Sequence, residues 1–513
     1  MDLGGKGNTM NDKPAEDKEF VSLDPWGSST ISDYDDLFTQ FGIEKFDQLL
    51  SKINDPNHLM RRGIIFGHRG YDSIIDAINS KKPFAVLSGF MPTGNPHIGH
   101  KMVFDEIVWH QKNGGHAYAL IADLEAHAAR KLTWDEIDRH SRNYVLSLLA
   151  AGFDLDKGEI YRQSENREVQ DLAFELGIHT NFSEMRSIYG FSGETEISHI
   201  QSVLTQAADI LYPQIQNPKP TVIPVGPDQD PHLRLTRDLA SRMCLFSVTE
   251  AYASFESDPA EKEHLDMAFE KLSGDNNKLQ CSDISNWVQT NLPMSTSRQS
   301  ILVKLLAATS EEFYPRVRIL NLRANSEIFK ILCNQISGKI QIYKEHIDIF
   351  GSDKNSIELL VREFEIEHGG YAFYPPSSIY HRFMSGLTGG KMSSSIPDSH
   401  ISLFEDPQKG YEKVKKSITG GRETAKLQRD IGGEPDKCPV YELYAYLLSG
   451  DDDNYAEKVH KECVTGNRLC GDCKEEAANL MREFLTDHQD KIIQSEPLLS
   501  NLFPDTKSTN TTP

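Results

Sequence analysis

The sequence has no apolar run long enough to cross a bilayer, which takes about 20 residues. Its opening, MDLGGKGNTMNDKPAEDKEF, lacks the apolar stretch of a secretory signal. Together these absences predict a cytoplasmic protein with no membrane partner. Cysteine is sparse, 7 in 513 residues, which excludes a disulfide scaffold, although four of the seven fall near the C-terminus. Positive charge is also short: 54 Lys and Arg stand against 76 Asp and Glu, a net charge of −22. Phosphate neutralisation supplies much of the affinity of nucleic-acid binders, so this balance argues against non-specific coating of nucleic acid. It leaves room for one local basic track. QKGYEKVKKSITGGRETAKLQR carries Lys409, Lys413, Lys415, Lys416, Arg422, Lys426 and Arg429, and taken alone it reads as a solvated helix face.

The chain is long enough for two to four domains, each with its own core. Hydrophobic residues at 38% and charged residues at 25% are ordinary for a globular protein. Strand-like runs AVLSG, HAYALIAD, GEIYRQ and TVIPVG alternate with helical patterns such as TWDEIDRHSRNYVLSLLA and DPHLRLTRDLASRM. Alternation of this kind predicts an α/β fold, a parallel sheet with helices on both faces. Its ligands should sit beyond the C-terminal ends of the strands. We expect a disordered segment over 1–20, an extension over 21–82 packing on the sheet, and the sheet domain over 83–243 and 371–400. A mainly helical insertion is expected over 244–370, a helical domain over 401–503, and a flexible tail over 504–513. There is no internal repeat.

Two stretches carry chemistry. In PTGNPHIGH a turn follows the buried run PFAVLSG and leads into a helical pattern, so His97 and His100 fall at a helix N-terminus. Free N–H groups and the positive dipole end favour phosphate there. Zinc is a weak reading, because paired metal histidines on a helix are usually four apart with a glutamate between. Far downstream, SGLTGGKMSSS combines glycines, one lysine and three consecutive serines. That set suits a loop whose Lys391 and hydroxyls meet phosphate oxygens, or merely a flexible surface loop.

As a pair, these stretches resemble the HIGH and KMSKS signatures of class I aminoacyl-tRNA synthetases, with Ser394 standing where the second pattern has its second lysine. DPW, DYDDL, RRGIIFGHR, LSGFMPTG, VLTQAADILYPQ, VGPDQDPHLRLTRDLASR and ITGGRETAKLQRDIGG look like tryptophanyl-tRNA synthetase of the archaeal and eukaryotic type. The likeness covers about Phe20–Met243 and Pro375–Glu496. It implies a Rossmann-like catalytic domain, a helical anticodon-binding domain at the C-terminus and a homodimer. It also implies ATP with Mg2+, L-tryptophan and tRNA(Trp) as reactants. His97, His100 and Lys391 would then be catalytic. Gly89, Phe90, Thr93, Gly99, Gly226, Asp228, Met392, Ser393 and Ser394 would hold ATP, with Asp228 meeting the ribose. Leu87, Glu125, Gln206, Asp209 and Gln229 would hold tryptophan. The indole N–H is a donor only, so an apolar slot with one acceptor is needed. Asp209 in QAADIL is the expected acceptor and Glu125 the alternative. A tyrosyl enzyme, in which Asp209 accepts from a phenol, and a catalytically silent tRNA-binding paralogue are the competing readings.

Cys438, Cys463, Cys470 and Cys473 follow the pattern C-x24-C-x6-C-x2-C. Reduced thiols in a cytoplasmic chain suggest metal ligands over disulfides. Only Cys470 and Cys473 form the paired spacing usual in zinc sites. The trio plus one distant cysteine looks more like the 4Fe-4S site of a subset of tryptophanyl synthetases, with Zn2+ or plain packing as alternatives.

Overall fold

The run PFAVLSG forms a strand because its side chains are covered on both faces, as parallel strands between helices require. Phe84, Val86 and Leu87 are all buried. The computed structural model describes residues 34–251, 264–265, 267–268, 271–272, 281–292, 298–307, 316–390, 392 and 396–503. The segment expected to be disordered, 1–20, and the expected flexible tail, 504–513, lie outside the described residues, as do Lys391, Ser393 and Ser394.

Among the described residues eleven strands follow in chain order: β1 (Glu44–Lys45), β2 (Ile65–Arg69), β3 (Ala85–Phe90), β4 (His116–Ile121), β5 (Gly158–Arg162), β6 (Thr221–Val225), β7 (Phe246–Ala251), β8 (Arg316–Asn321), β9 (Lys339–Ile342), β10 (His346–Phe350) and β11 (Ser377–His381). The main sheet has the order β1-β2-β11-β6-β3-β4-β5. β11, β6, β3, β4 and β5 run parallel, with Leu87 opposite Tyr118 and Ser378 opposite Ile223. β2 and β1 close one edge antiparallel. The chain proceeds outward from β3 through β4 to β5, then returns to the other side of β3 as β6. The crevice beyond the C-terminal ends of β3 and β6 is therefore the topological switch point, where ligands bind in such sheets. PTGNPHIGH and VGPDQD both leave strands there.

The four strands legible as apolar runs are β3, β4, β5 and β6. β11 (SSIYH) is buried throughout yet polar, because its side chains bond inward. Ser377 Oγ donates to the carbonyl of Gly70 at 2.6 Å, and Tyr380 Oη donates to Asp230 Oδ1 at 2.6 Å. Asp230 opens the helix after β6, is fully buried and also pairs with Arg69 of β2 at 2.8 Å. One carboxylate thus ties the antiparallel edge to the switch-point helix.

The insertion expected to be mainly helical over 244–370 is more helix than strand among its described residues, but it also holds a sheet that the sequence did not show. Alongside helices such as Ser326–Gln335 and Lys354–Glu367, it carries a four-stranded antiparallel sheet, β7-β8-β10-β9. In HIDIF the alternation sets Ile347 and Ile349 in the apolar core and Asp348 on the other face, fully buried, where Arg316 and Arg318 neutralise it at 3.0 and 2.7 Å. Glu365 anchors the insertion, accepting from the backbone N–H groups of Leu245 and Ala372.

The C-terminal part is helical: Pro407–Lys416, Ala425–Ile431, Asp453–Val464 and the 33-residue helix Cys470–Leu502. Met481 and Leu485 of the last helix share one apolar core with Val414, Ile401 and Val145. Much of the basic track is neutralised locally: Lys413 pairs with Glu405, Lys415 with Glu475 and Arg422 with Glu434.

Candidate active site

His97 is the N-cap of the helix Ile98–Lys112 in extended conformation, and its Nδ1 accepts from the N–H of Gly99 at 3.1 Å. His100 returns the favour: its Nδ1 accepts from the N–H of His97 at 3.1 Å. This is a capping box built from two histidines. With both Nδ1 atoms acting as acceptors, the ring proton of each neutral imidazole sits on Nε2. His100 Nε2 lies 3.1 Å from Tyr144 Oη. Burial, and then the neighbouring His100 and His400, hold His97 well below the ordinary imidazole range. Burial pushes His100 down to about 3. The pair is therefore neutral at physiological pH, offering N–H donors rather than cations.

The second motif reaches the first. Ile98 N–H donates to the carbonyl of Ile401, Leu403 N–H donates to that of Pro96, and His97 bridges to Ser402. Met392 is buried, and its sulfur would lie 3.7 Å from a Cβ on Gly99. That same Cβ would stand 2.9 Å from the His97 ring, so the turn needs its glycine. Gly389 and Gly390 have φ of 98° and 71°, the left-handed region that favours glycine. Gly226 is equally required, since a Cβ there would meet Asp228 Oδ1 at 2.6 Å and Phe383 at 2.7 Å. Thr93 lies in the turn, its N–H donating to the carbonyl of Met91. Phe90, expected to hold ATP, lines the cleft beyond β3 and β6, its ring packed against Phe104 and Tyr144.

Beyond β3 and β6 opens a cleft of about 230 Å3. Leu87, Gly89, Glu125, Gln206, Asp209, Gly226 and Gln229 all line it, and so does His100; His97 stands beside it. Leu87, Leu120, Ala122, Ile223 and Leu233 give it an apolar wall. Gln206 Nε2 donates to Gln229 Oε1 at 3.0 Å. Asp209 is fully buried, and burial pushes it up to about 7 against the hydrogen bonds from Gln163 and Tyr161. Those bonds are short: Gln163 Nε2 to Oδ2 at 2.6 Å and Tyr161 Oη to Oδ1 at 2.9 Å. Neither donor was singled out from sequence. Both lie in GEIYRQ, at and just past the C-terminal end of β5, where the parallel-sheet rule places ligand groups. His232 was missed too; it lines the cleft, burial pushes it down to about 3, and its Nδ1 lies 2.9 Å from Tyr189 Oη.

The four C-terminal cysteines do come together. Cys438, Cys463, Cys470 and Cys473 line one small cavity with Thr419, Gly421 and Arg468. Glycines make the room: a Cβ on Gly421 would collide with Cys470 Sγ, and one on Gly433 would lie 2.8 Å from Cys463 Sγ. Among the described residues, however, no group of three or more His, Cys, Asp or Glu side chains is arranged to hold a metal ion. The side-chain geometry thus gives the expected cluster or zinc no support.

The family model for class I tRNA synthetases of the W and Y type matches residues 79–252 and 337–486. The tryptophan–tRNA ligase 1 of Halobacterium salinarum is 55% identical over 94% of this chain and 96% of its own length. The tryptophan–tRNA ligase of Methanosarcina acetivorans is 46% identical over 92% of this chain and 96% of its own. The crystal structure of the tryptophanyl-tRNA synthetase of Aeropyrum pernix superposes with a TM-score of 0.63 at 30% identity, covering 94% of this chain and 98% of that one. Joined to a histidine-capped helix at the switch point of a parallel sheet, these likenesses place the chain in the tryptophan–tRNA ligase family of class I tRNA synthetases.

Proposed function

We propose that the cleft joins L-tryptophan to ATP and passes the tryptophanyl group to tRNA(Trp). The observation that carries this reading is the docking of Met392 and residues 400–403 onto the histidine turn, directly beside an apolar cleft with buried polar groups. A tryptophan carboxylate oxygen attacks the α-phosphorus, the bond to the bridging oxygen breaks, and pyrophosphate leaves with Mg2+ on its oxygens. A terminal ribose hydroxyl of the tRNA then attacks the activated carbonyl and releases AMP. Such chemistry relies mainly on positioning and charge stabilisation.

The Nε2–H groups of His97 and His100 donate to phosphate oxygens. Lys391, with Ser393 and Ser394, neutralises the departing pyrophosphate. Gly89 and Gly99 let the adenosine approach, Gly226 shapes the ribose side and Asp228 accepts from its hydroxyls, with Thr93 and Met392 bordering it. Gln206 and Gln229 hold the ammonium and carboxylate of tryptophan. Leu87 faces the indole, and Glu125 lies close enough to add negative charge near Asp209. The enzyme works in the cytoplasm as a homodimer; Phe174, Ile178, Phe182 and Ile197, exposed on consecutive elements, support a self-association face. Whether the cavity shared by the four cysteines takes a metal is tested by iron, sulfide and zinc analysis of anaerobically purified protein.

Pyrophosphate exchange into ATP, run separately with tryptophan, tyrosine and phenylalanine, tests the assignment. Exchange with tryptophan at least 10⁴-fold more efficient than with the others is expected of a site that hydrogen-bonds its substrate. Equal exchange with all three refutes the substrate, and no exchange with any of them leaves a tRNA-binding paralogue.

A further inference from the structure

We propose that the acceptor for the indole N–H is the side-chain carbonyl of Gln163, and that Asp209 is a positioning residue that aims it. The inference rests on the tryptophan-activating reading above and names the group within that site which reads the ring.

Gln163 follows β5 directly, and its N–H donates to the carbonyl of Ile121 at 3.1 Å, so the backbone is held by the sheet. Its side chain is 2% exposed and lines the cleft. The amide has two ends with opposite needs. Nε2 donates to Asp209 Oδ2 at 2.6 Å, which fixes the orientation, because the flipped amide would set oxygen against oxygen. Oε1 must then point away from Asp209. It is buried and has no hydrogen-bond partner among the described residues.

Asp209 is differently placed. It is fully buried, and each of its oxygens already accepts a bond, one from Gln163 and one from Tyr161. Its position is thus defined by two donors, and what it fixes in turn is the amide. A buried carbonyl without a donor is destabilising until a donor arrives. Indole carries one N–H and no acceptor, which matches one unpaired carbonyl in an otherwise apolar wall. Leu87, Leu120, Ala122 and Ile223 make up that wall. A benzyl ring would leave the carbonyl unpaired, so the same atom would also reject phenylalanine.

The test compares L-tryptophan with β-(3-benzothienyl)-L-alanine, in which sulfur replaces the indole N–H, by pyrophosphate exchange. The wild-type chain should prefer tryptophan by on the order of 10² or more in kcat/KM. In Gln163→Met that preference should collapse to less than about 5-fold, through KM for tryptophan, with KM for ATP unchanged. Asp209→Asn still offers an oxygen to Gln163 Nε2 and should keep most of the preference, whereas Asp209→Leu should lose it. A Gln163→Met enzyme with the wild-type preference overturns the proposal. Wild-type exchange with neither amino acid is a distinct result, which overturns the activity itself and this assignment with it. A crystal structure of the wild-type chain with tryptophan needs no variant to fold. An indole nitrogen within about 3.2 Å of Gln163 Oε1 supports the proposal, and one bonded to Asp209 instead overturns it.

Discussion

At the scale of the residue, the two motif histidines do structural and chemical work with different nitrogens. Nδ1 of each accepts from backbone, and the proton is carried by Nε2, which in His100 lies 3.1 Å from Tyr144 Oη. The two roles can be separated. Asparagine is a good N-cap, so His97→Asn should change stability by less than about 1 kcal/mol in urea unfolding. The exchange rate should nonetheless fall by roughly 10²–10³, the loss typical of one donor to a developing charge. Because burial holds both imidazoles far below neutrality, neither produces a limb near pH 6.5 in the rate profile of the wild-type enzyme. If Lys391 acts on the pyrophosphate as it leaves, Lys391→Ala should lower kcat by about 10² or more while KM for tryptophan moves little. A raised KM with unchanged kcat would instead assign it to ground-state binding. The histidine and serine motifs were legible because each packs several chemically distinctive residues into one short stretch. Gln163 was not, because an amide just past a strand has no local signature. Its role depends on Asp209, which lies 46 residues further along the chain.

At the scale of the element, legibility followed apolar continuity. β3 to β6 read directly as strands because their buried faces are hydrocarbon. β11 did not, since SSIYH meets its burial with inward hydroxyls and a histidine, and its partner Asp230 sits far away in sequence. The sheet in the insertion was missed for a related reason: opposite its apolar face it buries Asp348 against the arginines that pair with it, so its strands do not read as apolar runs. The helix Ile98–Lys112 carries one more buried acid, Glu106, fully covered, with Oε1 accepting from Asn57 Nδ2 at 2.8 Å. Burial pushes it up to about 8, Asn57 opposes the shift and Asp105 adds to it. The unfolded chain releases this proton near pH 4.3, so between that pH and about 8 the folded state binds more protons than the unfolded. Stability from this group is therefore full at low pH and declines as pH rises through that window. Glu106→Gln removes the titration, and its stability relative to wild type should grow from pH 5 to pH 8 by on the order of 1–3 kcal/mol. Urea midpoints of both proteins at four pH values measure the slope, and parallel curves would show that Glu106 is ionised in the fold.

At the scale of the whole molecule, the question is how a chain of net charge −22 presents an apolar face to water. Phe174 is 84% exposed, Ile178 73% and Ile197 75%, on the helix Arg167–Leu176, the turn after it and the start of Ile197–Leu211. The inner side of the same two helices forms the core behind the cleft, with Val169, Leu172 and Leu176 packed near Val203 and Ala207. A second copy seated on the outer side would brace the helix that carries Gln206 and Asp209, linking assembly to the geometry of the amino-acid slot. Sedimentation of the wild-type chain should give a particle of about 116 kDa, twice 57.9 kDa. Phe174→Asp combined with Ile178→Asp should give a monomer, because a desolvated carboxylate in an apolar interface is strongly unfavourable. Neither side chain contributes to the buried core, so urea unfolding of the separated chain should remain cooperative. If the slot depends on the brace, KM for tryptophan rises in the monomer while KM for ATP is held. A double variant that still sediments as a dimer would assign this face to another partner.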